Sequence, residues 1–209
     1  MADAAMTEPT RWWLVRHAPV INPTGVIYGQ HDIDADVSDD RVFDAVARIL
    51  PRGAVWLQSP LTRARKTAAT LRAVGADGEP PVDEPRLMEQ NFGAWQGQER
   101  AGILARHPEA YRRFWLTPAE ERAPDGESFV DVIDRVGSVL SEWSETADGR
   151  DVVAVMHGGS IRAALAIALD LDPARALAFH TETVSVTRID RYSDGAWGVV
   201  FVNVTPWRP

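Results

Sequence analysis

Basic side chains stand in this sequence at points where a predicted strand gives way to a loop. Arg16 and His17 follow the bulky, apolar and β-prone residues 12–15, which predict a short buried strand. His157 follows a second apolar run, residues 152–156, and precedes Gly-Gly-Ser. An imidazole can act as a nucleophile or base, and a guanidinium binds phosphate oxygens as a fork. The pattern near Arg16 fits a second interpretation equally well, in which Arg16 and His17 only mark the point where a core strand reaches the surface.

A third strand end adds another arginine. Residues 54–58 predict a buried strand, Ser59-Pro60 follows, and residues 61–74 have the composition of a helix with Arg63 in its first turn. Since the carboxyl ends of parallel strands share one sheet edge, two His and two Arg would converge there. In an acidic protein such a cluster is costly unless an anion occupies it. The helix start after His157 adds backbone N–H groups to the same place.

The elements that would position these side chains alternate along the chain. Strands and helices follow one another in β-α-β-α order, which is typical of a largely parallel sheet with helices on both faces. A helix is predicted from a cap at Ser38-Asp39-Asp40 to Leu50, because Val42, Val46 and Ile49 recur at helical spacing. The remaining expected elements are helices at 98–107, 109–116, 128–146 and 161–169 and a hairpin at 184–190 and 197–203, with 78–85 and 87–97 irregular.

Composition excludes several classes of function. The chain has 209 residues and a net charge of −8, which argues against a nucleic-acid partner or an anionic membrane surface. It has no cysteine, so disulfides, thiolate metal sites and cysteine nucleophiles are excluded. Residues 1–9 carry neither the basic region nor the apolar core of a secretory signal and predict a flexible tail, and no apolar run is long enough to span a membrane. A cytoplasmic location is the default expectation.

Five segments in order carry a family resemblance. LVRHA, SPLTRARKTA, MEQNFGAWQG, GESF and HGGSIRAAL are similar to motifs of the histidine phosphatase superfamily, the phosphoglycerate-mutase-like proteins, over nearly the whole chain. The resemblance implies a three-layer α/β/α sandwich with a mostly parallel central sheet. Chain length and the order of the elements predict a single domain at residues 10–209, with a helical insertion or lid at about 87–127. The resemblance implies neither a metal nor a cofactor.

The resemblance also implies roles for particular residues. His17 would attack phosphorus and become a phosphohistidine, with its other ring nitrogen held by a backbone acceptor. Arg16, Arg63 and His157 would hold the non-bridging oxygens. Glu89 would protonate the leaving alkoxide and then activate water.

Alternatives to two of these residues stay open at this stage. Arg65 competes with Arg63 as the phosphate-binding arginine, although the SPLTR spacing favours Arg63. Glu84 and Glu99 compete with Glu89, which the neighbouring NFGAWQG segment singles out.

The loop after the first strand departs from the family pattern. Ala18 and Pro19 stand where the family usually has Gly and Glu, and Asn22 lies one residue before the usual position of the family's loop Asn. The candidate substrate contacts are Asn22, Tyr28, Gln30 and Gly158.

The leading hypothesis is a metal-independent phosphomonoesterase that acts on a small phosphate ester. Chain length and the Tyr-Gly-Gln loop indicate the α-ribazole-phosphate phosphatase branch, with α-ribazole phosphate as the candidate substrate. The alternatives are phosphotransfer of the phosphoglycerate mutase type and a non-catalytic protein that binds a phosphorylated ligand. The expected partner is the small-molecule ester alone, with the protein a monomer or homodimer.

Overall fold

The computed structural model describes residues 8–21 and 25–208. Residues 1–7 of the predicted tail therefore lie outside the described residues. Asn22, a predicted substrate contact, also lies outside them. The strands are β1 (Thr10–Arg16), β2 (Val26–Ile27), β3 (Val55–Gln58), β4 (Val82–Asp83), β5 (Gln98–Glu99), β6 (Asp151–Met156), β7 (Val186–Arg191) and β8 (Trp197–Val204). The helices are α1 (Asp40–Ile49), α2 (Thr62–Ala73), α3 (Arg100–Arg106), α4 (Pro108–Leu116), α5 (Phe129–Ala147), α6 (Gly158–Ala168) and α7 (Pro173–Ala176).

Six strands form the central sheet in the order β4-β3-β6-β1-β7-β8. The first four run parallel to one another, and β7 and β8 continue the sheet antiparallel. In register, Arg16 lies opposite Met156, and Gln58 lies opposite Val155. The strands β1, β3 and β6 therefore end side by side, so that the loops after them open at one edge of the sheet.

Helices cover the sheet on both faces because successive side chains of each strand point in opposite directions. In β1, Trp12 and Leu14 pack into the apolar layer under α5 and α6, while Trp13 and Val15 pack into the layer under α1 and α2. The predicted three-layer α/β/α sandwich with a mostly parallel sheet is confirmed.

Several predicted boundaries were wrong. The helix expected from residue 161 begins at Gly158, immediately after β6. Residues 98–99 form β5, which pairs with β2, instead of the first turn of a helix. Residues 82–83 form a short edge strand in a stretch predicted to be irregular. The short strands β4 and β5 each pair with a strand that is distant in sequence, and local sequence patterns do not reveal such a partner.

The segment between β4 and α5 forms a small apolar cluster together with β2. The β2–β5 ribbon, α3 and α4 enclose Ile27, Trp95, Ile103, Phe114 and Ala123. The rings of Trp95 and Phe114 meet edge to face, with centroids 5.2 Å apart. None of the helices in the described part of the chain has the length and apolar character needed to cross a bilayer.

Candidate active site

The two histidines at the ends of β1 and β6 lie next to each other. The ring centroids of His17 and His157 are 5.0 Å apart, and both side chains are buried. The backbone N–H of His17 donates to the carbonyl of Met156 at 2.9 Å, which extends the β1–β6 ladder by one step. The strand register thus sets the spacing of the two rings.

The ring of His17 is held as a neutral imidazole. Its Nδ1 lies 2.6 Å from the carbonyl oxygen of Ala18, so Nδ1–H donates there and the lone pair of Nε2 stays free. Burial, the largest cause, lowers the pKa of His17 to about 3, and the charges of Arg63 and Arg16 act in the same direction. The Ala18 carbonyl partly opposes this shift in pKa.

The lowered pKa of His17 predicts an acid-sensitive fold. Between pH 6.5 and about 3 the unfolded chain binds a proton at this residue and the folded chain does not. The free energy of unfolding therefore decreases as the pH is lowered through this window. From pH 7 to pH 5 the loss through His17 is about 2 kcal/mol. Urea titrations without phosphate measure the free energy of unfolding at both pH values. From pH 7 to pH 5, we expect this free energy to decrease by about 2 kcal/mol less in His17→Asn than in the natural chain. An equal decrease in both proteins contradicts a neutral buried ring.

Arg63 links the pair of histidines to the loop before α1. Its guanidinium is fully buried, and its Nε donates to Nδ1 of His157 at 3.2 Å. Its terminal nitrogens donate to the carbonyls of His31 at 2.9 Å and Gly29 at 2.6 Å. The group also lies over the ring of Tyr28. The guanidinium is therefore fixed in position by the protein itself.

These contacts set the proton on His157. Its Nδ1 accepts from Arg63, so Nε2 carries the hydrogen and donates to Oγ of Ser59 at 2.7 Å. Burial, the largest cause, lowers the pKa of His157 well below its usual value, and so do the adjacent His17 ring, which would compete for the same proton, and the charge of Arg63. Both rings are thus neutral and poised for a ligand that brings negative charge.

Donors without partners collect at the N-terminus of α6. Arg16 donates through one terminal nitrogen to the carbonyl of Thr181, but its buried Nε has no hydrogen-bond partner among the described residues, and nor does the hydroxyl of Thr181. Both atoms lie near Gly158: a Cβ built on it would be 3.4 Å from the Thr181 hydroxyl and 3.5 Å from Nε of Arg16. Buried unpaired donors beside a helix N-terminus favour an anion as ligand.

Glu89 faces this cluster from the segment before α3. Its carboxylate accepts from the backbone N–H of Gly159, at 3.1 and 3.2 Å, and from that of Gln90 at 2.9 Å. The side chain of Gln30 donates to the backbone carbonyl of Glu89 at 2.9 Å. The carboxylate is therefore held at the first turn of α6, two residues after His157.

Arg135 on α5 supports the backbone around Glu89. It donates to the carbonyls of Arg86, Met88 and Glu89 and forms an ion pair with Glu127 at 2.9 Å. Sequence reasoning missed Arg135, although Glu127 belongs to the GESF segment. Ser59, Thr67 and Thr181 were also missed as parts of the site. The Thr67 hydroxyl accepts from the N–H of Ala18 at 2.8 Å and so fixes the loop that carries His17.

The close approach of α6 to Glu89 requires glycine at position 159. A Cβ on Gly159 would lie 2.1 Å from Oε1 of Glu89, so the carboxylate would have to leave its backbone donor. We expect Gly159→Ala to lower kcat/KM about 100-fold, the usual scale of a displaced general acid. Gly137→Ala on α5 is the matched control, because its Cβ would make an ordinary contact with Ile167. Phosphate release by both variants checks this; full activity of Gly159→Ala contradicts the placement of Glu89.

The structure brings most of the predicted site residues together. Those gathered at the sheet edge are Arg16, His17, Arg63, Glu89, His157 and Gly158. The side chain of Gln30 is engaged with Glu89, Tyr28 lies under Arg63 and lines a neighbouring cavity, and Asn22 is outside the described residues.

The competing residues are engaged elsewhere. Arg65 forms an ion pair with Asp83, Glu84 forms one with Arg86, and Glu99 is exposed on β5. Within residues 8–21 and 25–208, no three acidic or histidine side chains cluster as a metal site.

Comparisons with known proteins agree with this geometry. Residues 12–205 match the model of the histidine phosphatase superfamily (branch 1). The bifunctional protein Rv2228c of Mycobacterium tuberculosis is 34% identical over 206 residues, which cover 96% of this chain and 56% of that protein. The chain thus spans about half the length of this relative.

Two further relatives are matched over most of their length. Phosphoserine phosphatase 1 of Hydrogenobacter thermophilus is 30% identical over 179 residues, or 84% of each chain. The structure of mycobacterial glucosyl-3-phosphoglycerate phosphatase Rv2419c with inorganic phosphate superposes with a TM-score of 0.80 at 27% identity, covering 96% of this chain and all of that one. The family model alone spans nearly the whole described chain, and the resemblance of the five motifs is confirmed: this protein belongs to the histidine phosphatase superfamily, branch 1.

Proposed function

We propose that the protein is a metal-independent phosphomonoesterase that hydrolyses a small phosphate ester through a phosphohistidine at His17. The observation that carries this proposal is the state of the His17 ring, which is neutral, tied through Nδ1 to Ala18 and free at Nε2. Only a neutral imidazole with a free lone pair can attack phosphorus.

In the first step, Nε2 of His17 forms a bond to phosphorus while the bond from phosphorus to the ester oxygen breaks. Glu89, as the carboxylic acid, gives its proton to the departing alkoxide, so the alcohol leaves neutral. The N–H of Gly159 keeps the carboxyl group near the N-terminus of α6, where the phosphate would be bound. The products of this step are the free alcohol, a phosphohistidine and ionised Glu89.

In the second step, the Glu89 carboxylate takes a proton from a water molecule whose oxygen attacks phosphorus. The bond between phosphorus and Nε2 breaks, inorganic phosphate leaves, and the ring of His17 and the acid form of Glu89 are restored. The same carboxyl group thus acts as acid and then as base.

The phosphoryl oxygens are stabilised in this scheme by fixed positive groups. Arg63 is immobilised by two backbone carbonyls, and Arg16 presents an unpaired Nε close to Gly158. His157 adds an N–H donor at the same sheet edge through Nε2, which donates to Ser59 in the structure. Groups that need no reorganisation as charge develops supply most of the rate enhancement in phosphoryl transfer.

The test is phosphate release by the purified protein in the presence of a chelator. We expect hydrolysis of p-nitrophenyl phosphate in excess EDTA, and hydrolysis of at least one ester in a panel of phosphorylated metabolites that includes α-ribazole phosphate. Loss of all activity on chelation contradicts the proposal. Rapid isomerisation of 3-phosphoglycerate with its bisphosphate primer would instead favour the mutase, and phosphate binding without turnover would favour a ligand-binding protein.

A further inference from the structure

A second feature next to the site indicates which alcohol is released, and its interpretation rests on the proposed function. A cavity of about 190 Å³ opens beside Glu89 and Gly159. Its wall includes Tyr28, Phe92, Trp115 and Arg162. Since Glu89 would protonate the ester oxygen, the group attached to that oxygen has to enter this cavity.

Arg162 brings an uncompensated charge into the cavity. It lies on α6 three residues after Gly159, and residues at this spacing share one face of a helix. Its Nε donates to the carbonyl of Phe179 at 2.7 Å, which fixes the guanidinium. The terminal nitrogens have no hydrogen bond or ion pair within the described parts of the chain. The side chain is only half exposed, so water does not fully solvate this charge.

Among the half-buried arginines of the described chain, Arg16, Arg72 and Arg191 also form no ion pair, whereas others do. Arg135 is neutralised by Glu127, Arg86 by Glu84, and Arg188 by Asp190. Glu89 is the carboxylate that influences Arg162: it raises the pKa of the guanidinium against the larger effect of burial, and in the first step it would be the neutral acid. A half-buried guanidinium without a counter-ion at a cavity wall is typical of a group that binds an anionic ligand.

The outer wall carries a second cation. The guanidinium of Arg100 lies over the ring of Trp115, 5.3 Å from its centroid, and Trp115 is 41% exposed. Both residues lie between β4 and α5, Arg100 on α3 and Trp115 on α4. The cavity wall therefore carries two guanidinium groups, with the Glu89 carboxyl group and aromatic rings beside them.

We infer that the leaving alcohol carries a second anionic group, a carboxylate or a second phosphate, within a few bonds of the ester oxygen, and that Arg162 binds it. Arg162 is then a specificity-determining residue, with Arg100 attracting the same charge at the rim. A fork of two N–H donors fits either anion.

The experiment compares esters that differ in one charged group. In the first pair, 3-phosphoglycerate has a carboxylate where glycerol 3-phosphate has a hydroxymethyl group. In the second pair, fructose 1,6-bisphosphate has a second phosphate that fructose 6-phosphate lacks. We expect kcat/KM to favour the more anionic ester of at least one pair by about 30-fold, the scale of hydrogen bonds to a charged group. The pair that shows the preference tells carboxylate from phosphate.

Substitution of Arg162 is expected to remove this preference. In Arg162→Gln, the ratio of kcat/KM within the preferred pair should fall to about 3 or less, and Arg162→Lys should restore part of it. Arg175→Gln, at an exposed position on α7, is the matched control and should keep the full ratio. A ratio near 1 in the natural chain, or one that survives Arg162→Gln, overturns the inference.

Binding separates this inference from the proposed function. In His17→Ala, calorimetry should show that 3-phosphoglycerate or fructose 1,6-bisphosphate binds about 10-fold or more tightly than its partner ester, without any turnover. If the natural chain hydrolyses no ester, the proposed function is wrong. The ratio of affinities within each ester pair still decides whether Arg162 binds a second anionic group. Equal affinities within both pairs overturn the inference.

Discussion

Replacement of His17 by Ala is expected to abolish phosphate release, with kcat lowered by about 10⁴-fold or more, because no other group can form the covalent intermediate. The substitution also removes the ring that lies 5.0 Å from His157, but it leaves the backbone ladder through His17 N–H intact. We therefore expect the variant to fold. Initial rates with p-nitrophenyl phosphate in EDTA give the measurement, and circular dichroism gives the check on folding.

His107→Ala is the control for this substitution. His107 is exposed between α3 and α4, and its side chain makes no capping hydrogen bond. Its loss should leave the rate within about twofold, as surface changes usually do. Activity that persists in folded His17→Ala would show that another residue attacks phosphorus.

Replacement of Glu89 by Gln is expected to lower kcat/KM for alkyl phosphates by about 10²- to 10⁴-fold, the range of a lost general acid. The amide has nearly the same shape and can still accept from the N–H of Gly159, but it has no proton to transfer. The effect should be smaller for the first step with p-nitrophenyl phosphate, because nitrophenolate leaves without protonation. Hydrolysis of the phosphohistidine still needs the base, so a burst of nitrophenol should precede slow turnover.

Glu99→Gln provides the matched control for Glu89→Gln. Glu99 is exposed on β5 and, like Glu89, lies between β4 and α5. Equal losses on alkyl and aryl esters, with no burst, would contradict proton transfer by Glu89 and leave it a purely structural role.

The sequence predicted the ends of β1, β3 and β6 well because each is a short apolar run followed by polar residues. These ends bring His17, Arg63 and His157 to one edge, and the parallel register then sets the spacing of the two rings. The helix start at Gly158 was placed three residues too late, since Gly-Gly has a low intrinsic helix propensity. Tertiary context overrides that propensity, because α6 must begin directly behind β6.

The contacts that hold Glu89 could not be predicted from local pattern. From segments far away in sequence, Arg135 donates to three backbone carbonyls, one of them that of Glu89, and Gln30 donates to the Glu89 carbonyl as well. Gln30 was predicted as a substrate contact, whereas its side chain amide donates to the backbone. Arg162 lies within the HGGSIRAAL segment, but only the cavity shows that its terminal nitrogens have no protein partner among the described residues.

The most direct test of the covalent intermediate is mass spectrometry of the Glu89→Gln protein after rapid mixing with p-nitrophenyl phosphate and an alkaline quench. We expect one phosphoryl group on the peptide that contains His17, formed in the burst and lost slowly. A phosphoryl group on any other residue, or none during a burst of nitrophenol, would contradict it.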